Sequence, residues 1–264
     1  MPKGAEPASY SRRLAASVRS AVPVASDLAA CLSLPHLHKI ADRNSARTVS
    51  KIQDLSTHST QIRSILYDLL VPHEYPADDK TAWVTGSVAL ALEHQEAIVL
   101  LIKSKMFGSA FALVRSVVDT MSRALWLNAR GTDEHIERAV EDEISFPKMP
   151  ARLDEIKQSF FPEGEQEAAD EAELVANGFQ RLKEAWPALC DYTHTSERQV
   201  ARRFINGDLK PNYPEEDIVG MLDLTNEAVL LFVFLFFRSM GQLPEAAVTV
   251  KLLRDYRGMW KRVP

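Results

Sequence analysis

The chain has 264 residues, of which 46% are hydrophobic and 25% are charged, so it is long enough and apolar enough to bury a sizeable core. The net charge of −5 argues against a generally basic nucleic-acid-binding protein, and two cysteines are too few for a disulfide framework. The longest apolar run, Ala228–Phe237, has ten residues, about half of what a membrane-spanning helix needs. We therefore expect a cytoplasmic protein without a membrane span.

Charge is distributed unevenly along the chain. Residues 1–72 hold nine Lys or Arg against five Asp or Glu, and residues 238–264 hold six against two. Residues 133–173 reverse this balance, with fourteen Asp or Glu against four Lys or Arg. The basic ends bind phosphate, bind each other or are solvated tails, and the acidic stretch is a lid, a protein-binding face or a solvated surface. The sequence leaves these alternatives open.

The chain is expected to be all-α, because glycine is sparse and no alternating strand pattern of useful length occurs. Toward the N-terminus, the apolar spacing predicts two short helices, Ala8–Ser20 and Ala25–Leu34, followed by a long helix over His36–Val71. Pro35 separates the second helix from the third, and Pro72 ends the third.

The stretch Ala82–Arg130 predicts two apolar helices joined by a short turn, and the rest of the chain is expected to pack around this hairpin. Its first half is apolar nearly all round, which is typical of a buried helix. Gly108 is expected to end that helix, and the second helix is expected to begin at Ser109.

Beyond the hairpin, further helices follow in short order. Thr132 is expected to cap one helix, and Leu174–Trp186 is predicted to form another. Pro187 is expected to begin a new helix at its first turn. Glu215–Met240 is the most apolar helix and should lie in the middle of the molecule, while Pro244–Pro264 predicts a basic final helix.

These elements predict an up-and-down helical bundle in three parts. Residues 1–77 form N-terminal helices with a basic arm, residues 78–241 form the core bundle with the acidic stretch 133–173 as an excursion, and residues 242–264 form a basic C-terminal helix. The N-terminal helices and the acidic excursion are expected to pack outside the core. The many apolar helix faces favour a two-fold homodimer.

A first set of polar residues lies on the second central helix. Arg115, Asp119 and Arg123 follow one another at i, i+4 and i+8, which places them on one stripe within reach of each other. Arg and Asp are rarely buried unless they are paired. The stripe is therefore either an internal network or an exposed edge.

A second polar set lies in Asp191–Phe204. His194, Arg198 and Arg202 are predicted to share one helix face, and Tyr192 lies on a neighbouring face. Arginine binds phosphate or carboxylate through two hydrogen bonds, and histidine is the side chain best suited to move protons near neutral pH. This combination favours an anionic ligand.

Five short patterns in the chain resemble those of an uncharacterised family of bacterial helical proteins. They are AFALVRSxxD, RALWL, DYTH, QVARR and PNY, which begin at Ala110, Arg123, Asp191, Gln199 and Pro211. The resemblance covers about residues 82–240 and implies no established activity. The chain is also distantly similar to HEPN-type helical domains, which occur in bacterial toxin–antitoxin and abortive-infection systems and often act as metal-independent ribonucleases.

HEPN nucleases use an Arg and a His separated by four to six residues. The chain has one such string, Arg130–His135, and it lies at a predicted helix junction where Gly131 and Thr132 have ordinary capping roles. Chance and capping account for this string, and a catalytic role for it is the alternative.

The site that residue chemistry favours combines side chains from both polar sets: His194, Arg115, Arg202, Asp119 and Tyr192. The guanidinium of Arg115 and the imidazole of His194 are expected to converge, with His194 moving protons and Arg115 stabilising charge on a phosphate. Asp119 would orient an Arg or the His. The same side chains can instead form a hydrogen-bonded network that joins the central hairpin to the downstream helix.

The expected function is that of a bacterial defence or toxin-like protein that binds RNA, or cleaves it without a metal ion. The alternative is a non-catalytic interaction or ligand-sensing bundle that binds a protein partner through its acidic face or its basic tails. The sequence has no Walker loop, dinucleotide-binding fingerprint, nucleophile elbow or di-iron ligand set. We therefore expect no cofactor and no metal, and whether the protein is an enzyme stays open.

Overall fold

The computed structural model describes residues 51–162, 168–194, 197–205 and 208–260. The predicted helices Ala8–Ser20 and Ala25–Leu34, and the part of the third helix before residue 51, lie outside these residues. The described part is an all-α bundle, as the sequence predicts, and it also contains one short β-hairpin that was not predicted. Its helices are α1 (Lys51–Leu70), α2 (Asp79–Lys103), α3 (Phe107–Arg130), α4 (Asp133–Val140), α5 (Met149–Phe160), α6 (Ala169–Thr193), α7 (Glu197–Ala201), α8 (Glu215–Ser239) and α9 (Leu243–Trp260), and the hairpin pairs β1 (Phe204–Ile205) with β2 (Asp208–Leu209).

The predicted central hairpin is present as α2 and α3, but its turn differs from the prediction. Helix α2 ends at Lys103, and Lys105 adopts a positive φ of 59°, which reverses the chain. Gly108 does not end α2; it is buried in the first turn of α3. The glycine is needed there for a different reason, because two side chains pack directly against it.

Helix α8 lies at the centre of the bundle, as its composition predicts. Its four phenylalanines, at positions 232, 234, 236 and 237, are each at most 1% exposed. The helix packs against α1, α2, α3, α6 and α9, so apolar residues on every side of it are covered. The aromatic run is therefore core and not a surface for stacking bases.

Two elements that were expected outside the core are part of it. Leu55 and Leu66 of α1 are fully buried, because α1 packs against α2 and α8. Leu153 and Ile156 of α5 are also fully buried, because α5 packs against α3 and α6. Acidic residues dominate the composition of 133–173, but apolar residues of α5 still form a buried stripe.

Helix α6 differs from the sequence prediction because it continues through Pro187 instead of restarting there. Leu182 and Leu189 are both buried, and they lie seven residues apart on one face of the helix. This shared apolar stripe keeps the chain helical, although Pro187 cannot donate a backbone hydrogen bond. The helix ends at Thr193, and His194 follows as its C-terminal cap.

Helices α2 and α8 are long and apolar enough to cross a membrane by length and composition alone. Buried helices of compact bundles also meet that criterion, and most of α8 is buried. Helix α2 is more exposed, since Leu90 and Leu100 are 44% and 56% exposed.

Candidate functional site

Arg115 of α3 and His194 at the end of α6 are in direct contact. Arg115 Nη1 lies 2.6 Å from His194 Nε2, although the two residues are 79 positions apart in the chain. A guanidinium can only donate hydrogen bonds, so Nε2 accepts and carries no proton in this arrangement. His194 is exposed and Arg115 is half-buried, so solvent reaches the contact.

Arg115 is held from its other side by an aromatic ring. Its guanidinium carbon lies 5.3 Å from the centre of the Trp186 ring. Trp186 belongs to α6, the helix that His194 caps. No Asp or Glu among the described residues forms an ion pair with Arg115. The positive charge of Arg115 is therefore balanced by neither of its two neighbours.

Asp119 points to another part of the bundle. Its two carboxylate oxygens bind Arg123 at 2.8 Å and Arg152 at 2.5 Å. The predicted pairing of Asp119 with Arg123 is confirmed, but Arg115 does not join it. Asp119 therefore bonds to neither Arg115 nor His194, and the structure does not support an orienting role for it at that contact.

Arg152 of α5 is a buried charge that the sequence analysis missed. Its side chain is 2% exposed, and it donates to Asp119, to the Ser122 hydroxyl at 3.1 Å and to the Pro147 carbonyl at 3.5 Å. Burial lowers the pKa of Arg152, and the Asp119 carboxylate opposes that shift. An arginine within the pattern Met149, Leu153 and Ile156 is the signal that would have identified it.

Tyr192 is buried against another aromatic ring. The residue is 6% exposed, and its ring centre is 4.7 Å from that of Phe111. Phe111 also packs against Tyr213, with 5.3 Å between the ring centres. Burial raises the pKa of Tyr213, and the nearby Arg203 and Arg202 oppose that shift. The three rings form an apolar contact that joins α3 to α6 and to the segment between β2 and α8.

Arg202 does not share a helix face with His194, so that prediction is wrong. Helix α6 stops at Thr193, and the short α7 begins only at Glu197. Arg202 instead forms an ion pair with Asp217 at 2.5 Å and donates to the Asn212 carbonyl at 3.3 Å. The side chain of Arg198, the third member of the predicted face, lies outside the described part of the chain.

The Arg130–His135 string has a structural role. Thr132 and His135 form a reciprocal cap at the start of α4: the Thr132 backbone N–H donates to His135 Nδ1 at 3.2 Å, and the His135 backbone N–H donates to the Thr132 hydroxyl oxygen at 3.3 Å. Arg130 instead donates to Gln158 at 3.0 Å. The predicted cap at Thr132 is confirmed.

A buried polar cluster between α6, α8 and α9 was not predicted. Glu227 is 3% exposed and binds both Arg181 and Arg257. Asp223 accepts from Arg181 at 2.9 Å and from the Tyr256 hydroxyl at 2.8 Å. Burial raises the pKa of Tyr256 well above its usual value and lowers that of Arg257.

Helix α2 reaches the same region through an amide pair. Gln95 Nε2 donates to Asn226 Oδ1 at 2.9 Å, and both residues are at most 1% exposed. Asp223, Asn226 and Glu227 lie at i, i+3 and i+4 on an otherwise apolar helix. This polar stripe could have predicted the cluster from the sequence. It was missed because the helix is otherwise apolar.

Among residues 51–162, 168–194, 197–205 and 208–260, no three side chains of His, Cys, Asp or Glu are grouped so that they could hold a metal ion.

A family model described as a family of unknown function, DUF6988, matches residues 88–261. The chain belongs to this family. In this DUF6988 member the matched region contains Arg115, His194 and Trp186, together with the buried clusters around Arg152 and Glu227. Helix α1 precedes the matched region, although it packs on α2 and α8. No curated protein and no solved structure matches the chain.

Proposed function

We propose that this DUF6988 protein is a bacterial defence or toxin-like protein that binds RNA at the Arg115–His194 contact and cleaves it without a metal ion. One observation carries the proposal: a solvent-accessible guanidinium without a carboxylate partner in the described part of the chain lies 2.6 Å from the Nε2 atom of an imidazole ring. The first group suits a phosphate, and the second suits a proton transfer.

Binding of the RNA backbone would use Arg115 and Trp186. Arginine donates two parallel hydrogen bonds to phosphate oxygens, and these are among the stronger hydrogen bonds in proteins. Trp186 keeps the guanidinium in place by stacking, and partly exposed aromatic rings beside arginine also favour contact with bases.

Cleavage would use His194 as the base. When the phosphate takes over the hydrogen bond of Arg115, His194 Nε2 becomes free to accept the proton of a ribose 2′-hydroxyl. The 2′-oxygen then bonds to phosphorus, the bond from phosphorus to the 5′-oxygen breaks, and water protonates the leaving 5′-oxygen. The products are a 2′,3′-cyclic phosphate and a 5′-hydroxyl, and Arg115 stabilises the charge that develops on the phosphate.

The proposal includes a HEPN-like affiliation, a cytoplasmic location and a two-fold homodimer. The all-α fold supports the affiliation at the level of architecture. The exposed apolar side chains of α2, among them Leu90 and Leu100, support a dimer because such residues favour burial.

The binding test uses the full chain and a fluorescein-labelled 12-nucleotide RNA, with affinity measured by anisotropy. We expect Arg115→Ala to weaken binding about tenfold, since a hydrogen bond to a charged group is removed. The matched control is Arg130→Ala on the same helix, which removes an exposed arginine about 22 Å farther along the axis and should leave the affinity unchanged. Equally weakened binding in both variants would contradict a site at Arg115.

The cleavage test uses His194→Gln, because the amide oxygen can still accept from Arg115 but the amide cannot take up the proton. We expect binding within about twofold of wild type and a cleavage rate reduced about 100-fold or more. An RNA with one 2′-deoxy nucleotide at the cleaved position should bind and remain intact. If wild type and His194→Gln bind RNA equally and neither cleaves it, the protein is a binding module and not a nuclease.

In a bacterial host, overexpression of the wild type should arrest growth with loss of transcripts, and His194→Gln should relieve the arrest. Equal growth of both strains would contradict a toxin-like role. It would leave the non-catalytic interaction or ligand-sensing bundle as the remaining function.

A further inference from the structure

Arg203 is a second arginine without a carboxylate partner in the described segments, and it lies against the first turn of α3. A Cβ atom built on Gly108 would be 2.8 Å from Arg203 Nη2 and 2.9 Å from the Tyr213 hydroxyl. Arg203 is exposed, and no Asp or Glu in those segments forms an ion pair with it. Its positive charge therefore faces solvent, as that of Arg115 does.

The backbone fixes Arg203 at this position. Its N–H donates to the Val200 carbonyl at 2.9 Å, and its own carbonyl accepts from the N–H of Lys210 at 2.9 Å. Gln199 Nε2 also donates to the Gly108 carbonyl at 3.3 Å, which ties the α7 segment to α3. These hydrogen bonds fix the backbone at Arg203 near the first turn of α3, and from there its guanidinium reaches Gly108.

The neighbouring Arg202 does not add to the local charge in the same way. Asp217 lies 2.5 Å from its guanidinium and balances it. Among the described residues at this end of the bundle, Arg203 is the arginine without a carboxylate partner. Its guanidinium and the Tyr213 hydroxyl both lie beside Gly108, whereas the Tyr213 ring centre lies 5.8 Å from the guanidinium carbon of Arg202.

Arg203 and Arg115 are positioned along one face of α3. Gly108, against which Arg203 packs, precedes Arg115 by seven residues, which is two helical turns and about 10 Å along the axis. Ala112, a small half-buried residue, lies between these positions. The Trp186 ring accompanies Arg115 at one end of this face, and the Tyr213 hydroxyl lies beside Gly108 with Arg203 at the other.

We propose that Arg203 is a second phosphate-binding residue, so that Arg203 and Arg115 together hold one single strand of RNA across the Gly108–Arg115 face of α3. This inference rests on the proposed function and names the substrate form: a strand of at least about three nucleotides, since stacked nucleotides rise about 3.4 Å each. The Trp186 ring beside Arg115 favours a single strand, because the bases of a single strand are free to stack on an aromatic ring.

The test measures binding of fluorescein-labelled dodeca-adenylate RNA to the full chain over a series of salt concentrations. We expect Arg203→Ala to weaken binding about tenfold at low salt. We also expect the slope of log K against log salt concentration to become shallower by about 0.7, the value for one fewer neutralised phosphate on a single strand. Arg115→Ala should change the slope by the same amount, and the double variant by about twice as much.

Two further variants separate charge from fold. Arg203→Lys keeps the charge and should keep the wild-type slope, although its affinity falls because the bidentate hydrogen bond is removed. Arg130→Ala should match wild type in both affinity and slope. Circular dichroism and thermal unfolding establish that each variant is folded before its binding is compared.

The outcomes distinguish the inference from the proposed function. If Arg115→Ala weakens binding but Arg203→Ala matches wild type in affinity and slope, the inference is wrong and the proposed function stands. If the wild type does not bind RNA, or if Arg115→Ala binds as wild type does, the proposed function fails and the two-point site fails with it.

Discussion

Asp119 Oδ1 lies 2.5 Å from Nη2 of Arg152, and this ion pair joins the middle of α3 to α5. The arginine is 2% exposed, whereas Asp119 is 23% exposed. The pair therefore brings a positive charge into the core and balances it there. Helix α5 packs on α3, and this ion pair lies in their interface.

Removing the carboxylate should destabilise the protein strongly. We expect Asp119→Ala to lower the free energy of unfolding by about 3–5 kcal/mol, because Arg152 would remain buried without a counter-charge. Arg123→Ala, which removes the exposed partner of the same carboxylate, should cost less than about 1 kcal/mol. Urea unfolding measures the free energy of unfolding of both variants. Similar destabilisation in both would contradict the role of Asp119 as the counter-charge of the buried Arg152.

Replacing both buried partners should recover much of that stability. The double variant Asp119→Ala with Arg152→Met removes the unpaired charge and fills the site with an apolar side chain of similar length. We expect it to be more stable than Asp119→Ala alone by about 1–4 kcal/mol in urea unfolding. A double variant less stable than the single one would show that Arg152 contributes through its hydrogen bonds to Ser122 and Pro147 instead.

Glu227 should be essential for stability and not for RNA binding. Glu227→Gln removes the negative charge between Arg181 and Arg257, and we expect a cost of about 3 kcal/mol because Glu227 is buried. Glu184→Gln is the matched change at an exposed position that accepts a hydrogen bond from Gln180, and it should cost less than about 0.5 kcal/mol. Thermal unfolding compares the stabilities of the two variants. A reduced RNA affinity of the folded Glu227→Gln variant would contradict a purely structural role for Glu227.

Two helical glycines should respond differently to alanine. Gly86→Ala places a Cβ in open space on α2, so the higher helix propensity of alanine should stabilise the protein by up to about 1 kcal/mol. Gly108→Ala displaces the ends of the Arg203 and Tyr213 side chains. This displacement should offset the gain in helix propensity and should lower the RNA affinity. Chemical unfolding and anisotropy test both, and Gly108→Ala with wild-type affinity would show that Arg203 need not rest on α3.

Stability should fall above pH 10 because buried tyrosines resist ionisation. Burial raises the pKa of Tyr75 from 10.0 to about 12, a change that the Gln242 hydrogen bond opposes and Glu245 reinforces. A raised folded-state pKa means that this contribution is complete below pH 10 and is lost as the pH rises toward 12. In urea unfolding between pH 8 and pH 12, Tyr75→Phe should lose less stability than wild type, and the exposed-site control Tyr67→Phe should behave as wild type.

The sequence could predict those features that depend on short stretches of chain. Helix formation at Ala82–Arg130 follows from local apolar spacing, and the Thr132 cap follows from residues three apart. The central position of α8 follows from its composition, since a helix that is apolar all round is stable only where other elements cover it. The same local rules failed at Pro187, because a buried stripe on α6 outweighed the preference of proline for a helix start.

The candidate site was accessible to sequence analysis only in part. Residue chemistry selected Arg115 and His194, and the two side chains are in contact, but their catalytic role stays a prediction. The helix-face argument placed Arg202 with His194 and was wrong, because it assumed a continuous helix past Thr193. Spacing rules apply only within one helix, and they cannot foresee where a helix ends.

The sequence by itself determined the all-α class, the central hairpin and the burial of α8, because helix period and apolar content act over neighbouring residues. Only the tertiary structure decided which distant residues meet. It pairs Asp119 with Arg152 and Glu227 with Arg257, and it places Arg203 against the glycine at position 108. These contacts join residues about 30 to 95 positions apart, and they depend on how whole helices rotate and pack against one another. No local pattern encodes that rotation, so the pairing of buried and exposed charges had to be read from the folded chain.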